Sequence, residues 1–469
     1  MPLGSSFWVD ETATVFVARY GSHHPSLAIA APQAWQSWYY ALIGWQGALF
    51  GYSEIATRVI SVVAMGAFLG IFARLAARLI CPEAAWFAVF ACLALPGIDY
   101  QAANARPYAL GMFVFGISLL LLIRWLDSGK WHAGLLFAAS GALVLYIHLL
   151  FWPCCLVFAF YTAARVAEGK TSVTWRRVVL IFAAFGALIV PVVVQSLALL
   201  RDARAHVVTP LPSPGEFARS LELHVLALCG GAAWVIGRAR GWRVARAPLP
   251  ASTLLLIAAW WLVQPVFLFL FSWVTGNGVF VPRYLQLALP GAALASTAAA
   301  GRFIPAGQWT RLAAVLGAGL LLYLGQWRTI WPRHHNSDWR AAASVVNEIE
   351  AEAPAPVVCP SPFVEARPPA WEPDYPLPGF LYTHLAVYPI HGKPYLFPFE
   401  TSPQAELFAA TVARGALLPS RRFLIYGWGP QVNFWRDWFA RRPEFAAWRR
   451  RRLGPFADVD VVLFERVGP

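Results

Sequence analysis

Apolar runs alternate with short polar loops through the first 329 residues of the chain. Most runs are about 15 to 22 residues long, which is the length a helix needs to cross a hydrocarbon core of roughly 30 Å. The second and fifth runs are shorter. The pattern predicts about ten membrane spans, near residues 58–79, 84–97, 108–126, 132–149, 151–166, 178–199, 221–237, 252–274, 283–300 and 311–329.

The segment before the first predicted span has a different pattern. Residues 25–51 are rich in Trp and Tyr and are interrupted by polar positions and glycine. Aromatic side chains of this kind favour the headgroup region of a bilayer. The segment therefore predicts a helix that lies in the membrane interface.

The pattern changes again after residue 330, where no spanning run occurs and Pro, Trp and Arg become frequent. Residues 338–352 have helical periodicity, and three short apolar stretches are typical of strands. These stretches are 356–359, 422–426 and 459–464, and the Pro-dense segment 360–398 is expected to be an irregular ordered loop.

These patterns predict a fold class, a polytopic α-helical membrane domain with a small C-terminal α/β domain. The membrane domain is expected over residues 1–329, with an outer-face loop at 1–57, and the α/β domain over 330–469.

The loop charges predict how the chain is oriented in the membrane. One alternate set of loops is rich in Arg and Lys, as at 124–130, 165–177 and 238–246, and the other set is poor in them. The positive-inside rule places the basic loops in the cytoplasm. We therefore expect a multi-pass protein of the cell inner membrane, in contact with membrane lipids, with an extracytoplasmic (periplasmic) C-terminal domain.

Composition excludes several other classes of protein. Hydrophobic residues make up 58% of the chain and charged residues 13%, whereas soluble domains carry roughly 25% charged residues. The net charge of +13 resides mainly in membrane loops and the tail, so no nucleic-acid partner is expected. The six Cys show no zinc-ligand spacing, and no nucleotide-binding glycine motif occurs, so we expect no metal and no cofactor.

Two adjacent carboxylates, Asp10 and Glu11, lie on the outer side shortly before the interfacial segment. They could cap a helix or lie in a solvated turn. Alternatively, one of them could act as a general base and take the proton of an attacking hydroxyl group. The dipeptide alone favours the structural interpretation.

Two Arg-Tyr pairs fall on the same predicted membrane face as the carboxylates. Arg106 and Tyr108 lie between the second and third spans, and Arg283 and Tyr284 begin the ninth. An arginine at this depth can anchor a helix, or its guanidinium can bind a phosphate. Two acids and two arginines from three parts of the chain thus converge on one membrane face. This convergence favours a functional role for them over a purely structural one.

Five motifs in order resemble the bacterial GT-C glycosyltransferases, and among them the family 39 or dolichyl-phosphate-mannose protein mannosyltransferase-like group. The resemblance covers most of the chain. The motifs are Trp8-x-Asp10-Glu11, LFGYSEIATRVIS at 49–61, NARPYAL at 104–110, VPRYLQLALP at 281–290 and DWRAAASVV at 338–346.

This resemblance implies an inverting transfer of sugar from a polyprenyl-phosphate carrier to a hydroxyl group at the outer membrane face. It assigns the base to Asp10 and a supporting role to Glu11. It places Arg106, Tyr108, Arg283 and Tyr284 at the carrier phosphate and the site wall. It implies no metal and no cofactor, and it leaves the acceptor open as a lipid, a glycan or a protein.

The sequence departs from the family in two places. Members usually have a spanning helix before the Trp-x-Asp-Glu motif, whereas here Trp8 follows Met1 closely, and they often read His-Pro-Pro-Leu-Tyr-Tyr where this chain has residues 35–40. The first departure keeps open an inactive relative as an alternative. A transporter or flippase of lipid-linked sugar is a separate alternative. Transporters usually show repeated halves, and this sequence has none.

Overall fold

The computed structural model describes residues 3–21, 24–30, 37–206, 210–244, 248–323 and 337–467. The chain divides into two compact units. One unit contains residues 1–36, 40–57 and 332–469, and the other contains residues 37–39 and 58–331.

The second unit, here called the membrane unit, is built from helices that lie at the positions of the predicted apolar runs. The ninth predicted run, 283–300, differs, because it is a 3-10 segment until Ala288 and an α-helix only from Leu289. Two of the helices contain an internal proline, at Pro191 and Pro265. The helices are α4 (Glu54–Leu79), α5 (Ala85–Leu93), α6 (Pro96–Ala102), α7 (Tyr108–Ser128), α8 (Trp131–Ile147), α9 (Cys154–Ala167), α10 (Trp175–His206), α11 (Pro214–Ser220), α12 (Leu223–Ala239), α13 (Ala251–Thr275), α14 (Leu289–Ala300) and α15 (Trp309–Tyr323).

Length and composition allow five helices in the described part of the chain to cross a membrane, or seven if each bent pair counts as one span. One bent pair is α5 with α6, which meet at 83°, and the other is α11 with α12. The bend between α5 and α6 occurs at Pro96, which cannot donate a helical hydrogen bond. The protein is therefore a multi-pass membrane protein, and part of the predicted loop 99–106 is helical.

The first unit, here called the sheet unit, contains α1 (Val9–Tyr20), α2 (Pro25–Ala30), α3 (Trp38–Phe50), α16 (Trp339–Glu352), α17 (Thr383–Val387), α18 (Pro403–Val412) and α19 (Gly429–Ala440). Its strands are β1 (Val357–Pro360), β2 (Pro394–Phe397), β3 (Arg422–Trp428), β4 (Trp448–Phe456) and β5 (Val459–Arg466). They form one mixed sheet in the order β2-β1-β3-β5-β4, with β1 parallel to β2 and β3 and with β5 antiparallel to β3 and β4.

The predicted helix and the three predicted strands of the tail are confirmed as α16, β1, β3 and β5. The two strands that the sequence did not indicate, β2 and β4, are the edges of the sheet. An edge strand buries one side at most and tolerates Pro and charge. Accordingly β2 begins with Pro394, and β4 carries the exposed residues Arg449–Arg452. The segment 360–398 contains α17 and β2 in addition to irregular chain.

The core of the sheet unit includes residues from the beginning of the chain. Ala13, Phe16 and Val17 of α1 belong to the same buried cluster as the strands. The ring of Phe16 lies 6.1 Å from that of Phe380, between centroids. Helix α1 is therefore packed as part of a folded domain rather than lying in a solvated loop.

Candidate functional site

The two predicted acids begin helix α1. Asp10 and Glu11 occupy its first turn, where the unpaired backbone N–H groups and the helix dipole favour negative charge. Glu11 is fully buried, and its Oε2 accepts a hydrogen bond from the Trp8 backbone N–H at 3.2 Å. Asp10 is only half-buried. The Glu11 carboxylate thus fixes the start of the helix. Although Asp10 is half-buried as a residue, its Oδ2 atom is buried.

The turn that follows Asp10 is fixed by two threonines. The Thr12 hydroxyl donates to the Val9 carbonyl oxygen at 2.7 Å and lies 2.8 Å from the Thr383 hydroxyl. Because the single proton of Thr12 is used on Val9, Thr383 is the donor in the second bond. Both side chains are fully buried. Helix α17 therefore holds the first turn of α1 through a direct hydrogen bond.

The residues before α1 are held by a second network, centred on Tyr388. The Phe7 N–H donates to the Tyr388 hydroxyl at 2.8 Å, and this hydroxyl donates to Glu54 Oε1 at 2.7 Å. Arg340 pairs with the same Glu54 oxygen at 3.3 Å and donates to the Gly4 carbonyl at 2.7 Å. The C-terminal domain thus fixes the backbone on both sides of Asp10.

In the membrane unit, the loop before α7 carries Arg106. The Ser61 hydroxyl donates to the Asn104 carbonyl at 2.6 Å, and the Asn104 side chain donates to Gln101 Oε1 at 3.0 Å. Asn104 and Gln101 are buried. Helix α7 then begins at Tyr108, directly after Pro107. These contacts give Arg106, which is half-buried, a defined position at the head of a membrane helix.

Arg283 and Tyr284 lie on a short 3-10 segment, Pro282–Ala288, which packs closely on α6. A Cβ atom added to Gly97 would lie 2.0 Å from Gln286 Oε1, so a larger residue there would force the Gln286 side chain to move. Gln286 in turn donates to the Pro282 carbonyl at 3.0 Å. Helix α6, which leads into the Arg106 loop, is therefore packed against the segment that carries Arg283.

An aromatic cluster around His148 joins the two Arg-Tyr pairs. The His148 ring centroid lies 5.5 Å from Tyr108, 5.6 Å from Tyr284 and 5.0 Å from Phe151. The guanidinium carbon of Arg283 lies 5.3 Å from the centroid of the Tyr284 ring, a cation–π distance. The four membrane-unit residues predicted from sequence are thus brought to one place.

His148 is a neutral hydrogen-bond donor in this cluster. Burial, and then the positive charges of Arg106 and Arg283, lower the pKa of His148 to about 3. Its Nδ1 accepts the Leu150 N–H at 3.3 Å, which places the ring proton of the neutral form on Nε2. Within the described residues the Nε2–H group has no hydrogen-bond acceptor, so it remains available to a ligand beside the two arginines.

Gln264 fixes the two backbone segments on either side of this histidine. It lies in α13 before Pro265, is almost completely buried, and donates to the Tyr284 carbonyl at 2.5 Å and to the Leu150 carbonyl at 3.5 Å. A buried amide that bridges two carbonyls orders both segments at once. Asp10 and Glu11 belong to the sheet unit and the other four predicted residues to the membrane unit.

Sequence reasoning missed His148, Gln264 and Tyr388. Spacing alone could not identify His148, because its partners lie about 40 and 136 positions away in the chain, and scattered histidines usually pack at interfaces. A glutamine beside a proline in an apolar span was an available signal for Gln264, since an intramembrane polar residue is a functional candidate. Tyr388 gives no such signal. Among the described residues, no group of three or more His, Cys, Asp or Glu could hold a metal ion.

Comparison with known proteins shows similarity at the level of structure only. No family model matches the sequence, and no curated protein matches it. The crystal structure of ArnT from Cupriavidus metallidurans in the apo state superposes with a TM-score of 0.51 and 13% identity, over 99% of this chain and 94% of ArnT. ArnT bound to undecaprenyl phosphate gives 0.51 and 12%, over 98% and 95%.

These similarities show that the chain has the fold of ArnT, a polytopic helical membrane domain followed by a small domain with a sheet. The predicted fold class is therefore confirmed. At this level of identity the likeness extends to the fold alone, and ArnT is the protein whose fold the chain resembles over almost its whole length.

Proposed function

We propose that the protein is an inverting glycosyltransferase that moves a sugar from a polyprenyl-phosphate carrier to a hydroxyl acceptor at the outer face of the inner membrane. The observation that carries the proposal is the cluster of Arg106, Arg283 and the neutral His148 in a GT-C fold. A structure with the same fold, that of ArnT, holds undecaprenyl phosphate.

In this mechanism Asp10 is the general base. The acceptor oxygen forms a bond to the anomeric carbon of the sugar, while the bond from that carbon to the phosphate oxygen breaks and its electron pair leaves with the phosphate. Asp10 takes the hydroxyl proton, a contribution of roughly 10²–10⁴ in rate. Glu11 supports the reaction by fixing the helix start that presents Asp10.

Arg106 and Arg283 neutralise the departing lipid phosphate in this mechanism. Guanidinium groups suit phosphate oxygens because they offer several donors in a planar fork. The Nε2–H of His148 adds a donor without adding charge. Tyr108 and Tyr284 form the wall of the site, and the apolar side chains that pack beside Tyr284, such as Leu150 and Phe280, suit the isoprenoid chain.

The narrower assignment, to the family 39 or mannosyltransferase-like group, rests on the five sequence motifs and their order. The inner-membrane location and the periplasmic C-terminal domain rest on the loop charges. Both belong to the proposal.

The test is product formation by the full-length protein in proteoliposomes. Undecaprenyl-phosphate-linked sugars of several kinds, hexosyl, pentosyl and aminopentosyl, are supplied with a cell-envelope extract as the source of acceptors. Mass spectrometry follows consumption of the lipid-linked sugar and release of undecaprenyl phosphate. A transferase releases the carrier phosphate and loses this activity as Asp10→Asn. A flippase moves the intact lipid-linked sugar across the bilayer, and an inactive relative does neither, so either result contradicts the proposal.

A further inference from the structure

A groove lies between α4 and α7, near the end of each helix that is C-terminal in sequence. The helices come close at Gly116, where an added Cβ would lie 3.1 Å from Ile71 Cγ2 and 3.3 Å from Phe68 Cδ2. Beyond that contact they leave a groove of about 900 Å³. Neither the carrier site nor the acceptor chemistry of the proposed function uses this part of the membrane unit.

The two walls of the groove have the same sequence spacing. On each helix five lining residues recur at i, i+3, i+4, i+7 and i+11, which places them on one helical face, and α7 adds Ile123 and Asp127 beside it. The inner positions are small or apolar, and the fourth position is arginine in both helices. The lining residues include Ala67, Gly70, Ile71, Arg74 and Arg78 from α4, and Ile117, Leu120, Leu121, Arg124 and Ser128 from α7.

The mouth of the groove carries an excess of positive charge. Asp127 is the carboxylate among the residues that line the groove, and it is already paired with Arg78 and with Arg165, the latter at 2.8 Å. Arg74 and Arg124 are exposed and make no ion pair with any described residue. Arginines at the ends of membrane helices also serve as topology signals, but that role does not account for an open apolar groove directly beside them.

A groove of this kind in a membrane must be filled by apolar chains, since water in it would meet walls with few hydrogen-bonding groups. A ligand that matches both the apolar groove and the arginines at its mouth has hydrocarbon tails and an anionic phosphate head group. We propose that the α4–α7 groove is a binding site for an anionic phospholipid of the leaflet at this end of the helices, with the phosphate between Arg74 and Arg124 and an acyl chain along Gly70 and Leu120.

Two variants test separately the part of the site that would bind the phosphate and the part that would bind the acyl chain. The double variant Arg74→Gln/Arg124→Gln removes the phosphate partners, and Arg238→Gln/Arg240→Gln at the exposed end of α12 removes equal charge elsewhere. Gly70→Leu places a side chain in the groove, since a Cβ at Gly70 meets nothing within 4 Å. Gly186→Leu in α10 is the matched control, with equally open space around it.

The measurement is native mass spectrometry of the delipidated full-length protein with dioleoylphosphatidylglycerol or dioleoylphosphatidylcholine. We expect the wild type to retain dioleoylphosphatidylglycerol about tenfold better than dioleoylphosphatidylcholine, because basic residues at a membrane surface attract anionic lipids. This preference should disappear in the Arg74/Arg124 variant and persist in the Arg238/Arg240 variant, and Gly70→Leu should lower retention of both lipids while Gly186→Leu does not.

Equal retention of the two lipids by the wild type would overturn the proposal. So would an unchanged preference in the Arg74/Arg124 variant, or displacement of the lipid by undecaprenyl phosphate at equal concentration, which would assign the groove to the carrier. The thermal midpoint of each variant, measured without added lipid, shows whether it is folded. If the arginine variant does not fold, the Gly70→Leu and Gly186→Leu pair decides the outcome alone.

Discussion

Asp10 and Glu11 are adjacent in sequence and differ in what their surroundings allow. Glu11 is fully buried and already accepts the Trp8 N–H, so its carboxylate is committed to the start of α1. Asp10 is half-buried in the same first turn. Asp10 is the more exposed of the two residues, although its Oδ2 atom is buried. The assignment of the base to Asp10 remains a prediction from the family resemblance.

The first prediction concerns this base. Asp10→Asn should lower the transfer rate by about 10²-fold or more, because an amide cannot accept the proton, while leaving the thermal midpoint close to that of the wild type. Release of undecaprenyl phosphate is the measurement, and Asp374→Asn, an exposed acid of the sheet unit, is the control. Turnover at the wild-type rate in purified Asp10→Asn would remove Asp10 from the mechanism.

The second prediction separates the two nitrogens of His148. In His148→Asn the amide oxygen can still accept the Leu150 N–H, but no donor replaces Nε2–H. In His148→Gln the longer amide reaches the Nε2 position. A hydrogen bond to a charged group is worth about 1.5–3 kcal/mol, so His148→Asn should weaken binding of undecaprenyl phosphate about tenfold or more.

His148→Gln should stay within about threefold of the wild type, since its amide still offers a donor to the charged phosphate. Because the wild-type ring is neutral, His148 should add no titration of its own between about pH 5 and pH 8. The pH dependence of binding should therefore follow only the phosphate monoester, whose second pKa is about 6, and should be the same in His148→Gln as in the wild type. Isothermal titration of the purified variants with the carrier lipid supplies the affinities. Equal affinities for His148→Asn and the wild type would show that His148 only packs.

At the scale of elements, the site in the membrane unit depends on two short segments and the tight packing between them. Helix α6, which leads into the Arg106 loop, meets the 282–288 segment through Gly97 and Gln286. Gln264 connects the 282–288 segment to the turn after α8 by hydrogen bonds to both. None of these segments is a regular spanning helix. Irregular backbone is tolerated at membrane depth only where protein or a polar cavity surrounds it, and such places are where substrate sites form.

The third prediction tests the role of the 282–288 segment. Arg283→Ala should weaken binding of undecaprenyl phosphate by about 30-fold or more, since truncating one partner of a buried charge pair costs roughly 2–5 kcal/mol. Binding of the acceptor should change little. Arg219→Ala, an exposed arginine of α11, is the control of equal charge. A small loss of affinity that is the same for every ligand would indicate that Arg283 only anchors its segment in the membrane.

The fourth prediction concerns the segment before α1. Tyr388→Phe deletes the hydroxyl that accepts from Phe7 N–H and donates to Glu54, and it leaves a buried N–H group unsatisfied. We expect a loss of about 1–3 kcal/mol in stability, and a lower kcat because the helix start that carries Asp10 is less well fixed.

The KM for the carrier lipid should not change in Tyr388→Phe, because the residues assigned to the carrier lie in the membrane unit. Tyr395→Phe in β2, whose hydroxyl makes no hydrogen bond with a described residue, is the matched control. A loss of stability without any change in kcat would show that Tyr388 has only a structural role.

At the scale of the whole molecule, the sheet unit contains the first turn of α1, and the C-terminal strands are part of the same core. This gives the C-terminal domain a function that its sequence does not show, since it fixes the residues around Asp10 through Thr383, Tyr388 and Arg340. Truncation of the tail is therefore expected to disturb the proposed chemistry as well as the fold.

The fifth prediction is the topology. In a variant whose native cysteines are replaced, Arg240→Cys should react with a membrane-impermeant thiol reagent only from the cytoplasmic side, and Glu400→Cys only from the outside. The physical basis is the difference in positive charge between the two sets of loops. Right-side-out and inverted vesicles provide the two orientations, and undiminished transferase activity shows that the variants are folded. The reverse labelling pattern would move the proposed site to the cytoplasmic face.

The sequence by itself determined those features that depend on local periodicity. Runs of apolar residues predicted the membrane helices, and continuous apolar stretches predicted the three buried strands β1, β3 and β5, because such strands are hydrophobic on both faces. The five motifs also indicated the GT-C fold. The two edge strands escaped prediction because Pro394 and the arginines of β4 are acceptable only at the edge of a sheet.

The tertiary structure alone decided which residues meet. Arg106, His148 and Tyr284 are far apart in the chain, and the pairing of Phe7 with Tyr388 spans 381 positions. Periodicity describes one element at a time and contains no information about contacts between elements. It could therefore identify the arginines but not the histidine that lies between them. The physical reason is that a hydrogen bond or a ring contact requires a distance, and only the packing of helices, glycines and loops fixes a distance between residues so far apart in sequence.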